Sequence, residues 1–61
     1  MTVLEETITT VKRGVMMKRM VILVDTAADV PAVRENWDAG SMCVIAADHS
    51  YKILNEQGEW V

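Results

Sequence analysis

The 61-residue chain has no Phe and only one Cys, one Pro, one His and three Gly, and these shortages close off classes of protein. With Cys43 alone, no disulfide staple exists and nothing marks an oxidising compartment. Its setting, Met42-Cys43-Val44-Ile45, is that of a buried small hydrophobe. One Cys and one His fall short of the roughly four ligands that a structural zinc takes. Gly14, Gly40 and Gly58 are isolated, so there is no glycine-rich phosphate loop. The central apolar run, Met20 to Val24, ends at Asp25, far short of the ~20 residues of a membrane span. Glu5 and Glu6 precede any basic residue, which does not fit a secretory signal. The expectation is a soluble protein made in a cytoplasm.

What the chain does have is apolar surface. Apolar residues make up 51% of it, five of them Met, with Trp37, Tyr51 and Trp60 as the aromatics. A chain this short buries only about 60% of the surface its unfolded form exposes. More apolar area is present than so small an interior hides, and association is the expected outlet. Charge is uneven as well. Residues 1–20 carry Lys12, Arg13, Lys18 and Arg19 against Glu5 and Glu6, a net of +2. Residues 21–61 carry two cations against seven anions, a net of −5, which together match the overall −3. A basic end and an acidic body suit contact between copies, although a solvated charged surface is the plainer reading. The four cations flank a hairpin of the kind that can enter a groove. The acidic whole (pI about 4.8) and the lack of an aromatic among the cations argue against nucleic acid.

Along the chain, Thr7-Ile8-Thr9-Thr10-Val11 is an unbroken β-branched run that favours a strand, despite helical spacing of Leu4, Ile8, Val11 and Val15. A hairpin around Lys12-Arg13-Gly14 leads to a second strand, Val15 to Val24. Residues 1–16 read as an arm or first strand and residues 17–61 as a small β-rich domain, with Met17 a plausible alternative start. Asp29 and Pro31 suit the beginning of one short helix that Gly40 would stop, or else of a loop with Trp37 folded in as a plug. Ser41 to Ala47 is an apolar strand, Asp48-His49 a tight turn, and Ser50 to Leu54 its partner. Asn55 to Gly58 turns again, and Trp60 lids the end. The fold expected is mainly β, a small antiparallel meander with at most one short helix, with α+β as the alternative. Its core would hold Trp37, Cys43, Ile45, Tyr51, Ile53 and Trp60. Leu4, Ile8, Val11, Lys12, Arg13, Lys18 and Arg19 form the candidate interface.

No residues point to catalysis, a cofactor or a metal site. Cys43 and His49, with Asp48, would make an enzyme only across an oligomer interface, because a strand residue and a turn residue do not meet within one subunit. Asp25 and Asp29 lie in a surface segment, where capping by Asp29 is the simpler role.

Two stretches, Thr26-Ala27-Ala28-Asp29-Val30-Pro31-Ala32-Val33 and Ala39 to Val61, resemble a segment found in small structural proteins of tailed bacteriophages, of head-fibre, decoration and tail-associated type. The likeness runs through Asp29 and Pro31, Gly40-Ser41, Met42 to Ile45, Tyr51 with Ile53 and Leu54, and Gly58-Glu59-Trp60-Val61, over about residues 26–61. It implies a module repeated many times on a particle, with no catalytic residues. The function expected is that of a virion structural protein, a capsid-surface decoration or fibre-anchoring component. Tail or neck is the alternative site, and a small cytoplasmic regulator binding a host protein the alternative class. Partners would be copies of itself and other virion proteins, in the virion and, during assembly, in the host cytoplasm.

Overall fold

The computed structural model describes residues 1–61 and is mainly β. Strand β1 spans Thr2–Lys12 and β2 Val15–Val24, followed by a 3₁₀ turn at Ala27–Asp29, then β3, Met42–Ile45, and β4, Ser50–Ile53. All four strands form one sheet in the order β1-β2-β3-β4. β1 and β2 are joined by Arg13 and Gly14 alone, both at positive φ (53° and 78°), the twist a two-residue hairpin needs. Glycine adopts this freely, whereas Arg13 does so against its Cβ.

The pairing of β2 with β3 is parallel, where an antiparallel meander was expected. The reason lies in residues 25–41, a connection long enough to cross one face of the sheet and return in the same direction. That connection contains no helix after Pro31. Pro31 restricts Val30 to an extended backbone (ψ 119°), so the helical turn ends upstream. Asp29 is the last residue of that turn and not its first cap, and its carboxylate accepts from the Thr26 N–H and hydroxyl at 3.1 and 2.9 Å.

The crossing segment forms the lid. Met20, Ile22 and Val24 of β2, Cys43 and Ile45 of β3, and Leu54 point to one side and are buried with Trp37. Val30, Val33 and Trp60 pack over them. Trp37 and Trp60 meet edge to face at 6.1 Å, and the Trp60 indole N–H donates to the Pro31 carbonyl at 2.9 Å. Tyr51 and Ile53, expected in the core, are not in it: they are 60% and 38% exposed. Leu54 takes the inner place at the end of β4, and the two-residue period of a strand then sends Ile53 and Tyr51 to the opposite face.

From Lys18 to Leu23, β2 has neighbours on both sides. Lys18 exchanges bonds with the Asn36 carbonyl and the Asp38 N–H (2.8 and 2.7 Å), and β3 takes over at Val21. Ser41, wholly buried, fills the gap between them. Its Oγ accepts from the Met20 N–H at 3.0 Å and donates to the Asp38 carbonyl at 2.8 Å. The boundary expected between arm and domain at residues 16 and 17 falls inside β2. No residue of β1 is buried.

Candidate interaction site

The sheet has two faces, and the crossing segment covers one of them where β2, β3 and β4 lie, leaving β1 bare. On the other, register aligns six apolar side chains in two rows of three. Val21, Met42 and Ile53 make the first row, and Leu23, Val44 and Tyr51 the second. Val21, Leu23, Met42 and Val44 are half-buried by their strand neighbours, while Tyr51 and Ile53 stand exposed. A sheet ordinarily buries its apolar face against a second layer. Here that layer is missing, and the molecule is only 14 Å along its thinnest axis. The rows stop at β1, whose residues on this face are Thr2, Glu5 and Thr7, opposite Leu23, Val21 and Arg19.

Of the residues expected at an interface, Leu4, Ile8 and Val11 are exposed on β1. Lys12 ends β1 and Arg13 forms the turn. Lys18 and Arg19 lie on opposite faces of β2. The Lys18 ammonium pairs with Glu6 at 2.6 Å and the Arg19 guanidinium with Glu5 at 3.7 Å. The four cations therefore do not form one patch. Two are neutralised across the hairpin, and Lys12 reaches Asp38 at 3.4 Å.

Asp38 carries no signal in the sequence, yet it ties the arm to the body. The Thr9 hydroxyl donates to its carboxylate at 2.7 Å, and the Ala39 N–H adds a second bond at 3.0 Å. The Thr9 hydroxyl chiefly holds this carboxyl below its ordinary pKa; partial desolvation opposes, while the Ala39 N–H and Lys12 assist. The carboxyl of Asp48 is lowered likewise by the Ser50 hydroxyl and N–H, which close the loop Ala46–His49. His49 stands in that loop at φ 59°, exposed. Cys43 lies wholly inside β3, and burial pushes its thiol pKa up, with Lys52 opposing. Neither His49 nor Asp48 hydrogen-bonds to it. No group of three or more His, Cys, Asp or Glu side chains converges to hold a metal, and no helix is long and apolar enough to cross a membrane.

The geometry thus offers surfaces for docking: a two-row apolar face and a long exposed strand. Searches of known protein families, of curated proteins and of solved structures each found no match for the chain.

Proposed function

We propose that this chain is a structural component of a tailed-bacteriophage particle, present in many copies and acting by self-association and docking. Decoration of the capsid surface or anchoring of a fibre is the first role, and a place in the tail or neck the second. Its residues work mechanically and carry no reaction. The uncovered face, Val21, Leu23, Met42, Val44, Tyr51 and Ile53, is the observation that carries this reading. Fully burying such a side chain is worth about 1.5–3 kcal/mol, so even partial cover of six gives a strong drive to associate. Contiguous apolar area of this kind on a small domain marks a contact site. The choice of a virion over any other assembly rests on the likeness of residues 26–61 to phage structural chains.

Mass spectrometry of density-purified particles from the strain that carries the gene tests it. The chain should band with the particles in a fixed ratio to the major capsid or tail protein. Recovery solely from the soluble fraction, in complex with a host protein, would overturn the virion reading in favour of a regulator.

A further inference from the structure

The two edges of the sheet are treated differently. β4 is a short edge of four residues, and the following chain folds back on it. Ile53 and Val61 exchange both backbone hydrogen bonds, at 3.0 and 2.9 Å, and Leu54 bridges to Trp60. β1 is an edge of eleven residues, exposed throughout, with no proline. Its blunting features are extra residues at Leu4 and Thr9 and the charges of Glu5, Glu6 and Lys12. A long strand with one side unpaired is a template for another strand.

What that strand should be is written along β1. Val3, Glu6, Ile8 and Val11 are the residues opposite Ile22, Met20, Lys18 and Met16, so they share the face that bears the core. This set is symmetric about Thr7. Run in the opposite direction, it sets Val3 against Val11 and Glu6 against Ile8. The charges follow the same logic: Glu5 and Glu6 lie toward the start of the strand, Lys12 and Arg13 at its end. An antiparallel copy centred on Thr7 brings no like charges opposite one another, with Glu5 facing Thr9, Glu6 facing Ile8 and Lys12 facing Thr2, whereas a parallel in-register copy would stack like on like.

We propose that β1 pairs antiparallel with β1 of a second copy about a twofold axis at Thr7. The two four-stranded sheets become one sheet of eight strands. Such an isologous contact is self-complementary and closes on itself. It places the exposed Val3 of each copy beside Val11 of the other, with Ile8 facing Glu6 between them, and leaves the two-row face of each copy free for further partners. The biological setting rests on the assembly role proposed above; the pairing itself rests on the free edge and its pattern.

A residue on a twofold axis faces itself, which provides the test. Thr7 is exposed, and its one side-chain bond is to Glu5, so its replacement leaves the core intact. Thr7→Lys and Thr7→Glu are made in the full chain, with far-UV dichroism and Trp emission to verify folding. In sedimentation velocity each variant alone should dimerise about fivefold more weakly than wild type, because like charges meet at the axis. An equimolar mixture of the two should recover the wild-type affinity as a heterodimer. If both variants associate like wild type, or the mixture gains nothing over either alone, the β1 contact is refuted while the assembly role stands on the sheet face. If wild type, variants and mixture all stay monomeric, the pairing is refuted as well. The particle measurement above then decides the assembly role separately.

Discussion

Ser41 and Arg13 are the residues whose roles are most sharply defined by geometry. The buried Ser41 hydroxyl is the only partner of the Met20 N–H at the point where β2 passes from one neighbour to the next. Removing it leaves a buried donor unpaired, so Ser41→Ala should lose about 1–3 kcal/mol in urea-melt stability. Ser41→Thr should retain most of it if the added methyl is accommodated. Arg13 works the other way. It holds φ 53° in the hairpin turn, a conformation that costs most L-residues roughly 1–2 kcal/mol and Asn much less. Arg13→Asn should therefore raise the melting temperature, and a fall would show that the Arg13 side chain contributes more than its backbone costs. The Gly14 turn was legible in the sequence because glycine announces positive φ. Ser41 was legible as the first residue of a strand but not as a partner of β2, because nothing local to it shows that its hydroxyl meets the Met20 N–H. Tyr51 and Ile53 were misplaced for a related reason. Alternation shows which residues share a face but not which face is inside.

Among the elements, β1 and the crossing segment depend on one another through Asp38. The hydroxyl of Thr9, the ammonium of Lys12 and the Ala39 N–H all favour its ionised form. A carboxyl whose folded pKa is depressed stabilises the fold above its unfolded value, near 3.8 here, and that stability is lost as pH falls through the lower folded value. Acidification below about pH 4 should loosen the arm from the body. Hydrogen exchange of β1 amides should rise there, and Asp38→Asn should show raised exchange at neutral pH with a smaller further change in acid. Because residues 1–16 supply none of the eight buried residues, a chain beginning at Met17 should keep its compact Trp environment while losing stability. A Met17 start that is unfolded in water would show that β1 is part of the domain and not an added arm. The strand run of β1 and the β2 core run were legible from their β-branched and apolar residues. The parallel crossover was not, since nothing local to Asp25–Ser41 distinguishes a lid from a loop. Of the two readings open after Asp29, the short helix fails on Val30, which a following proline keeps extended, and the loop with Trp37 folded inward is the one found.

At the scale of the whole molecule, one layer of sheet with one lid leaves two kinds of surface unsatisfied. The two rows of apolar side chains lack a covering layer, and the β1 edge lacks a neighbour. Composition foretold the excess of apolar area, but only register shows where it lies, part in the two rows over β2, β3 and β4 and part along the β1 hairpin. The salt bridges of the hairpin are exposed, and pairs of that kind contribute little, so association should depend weakly on salt if the apolar face drives it. The most direct measurement is sedimentation velocity of the unmodified chain over a concentration series from low micromolar to near millimolar. The account predicts a rising weight-average mass with defined oligomers at the upper end. A single monomeric species at every concentration would contradict it.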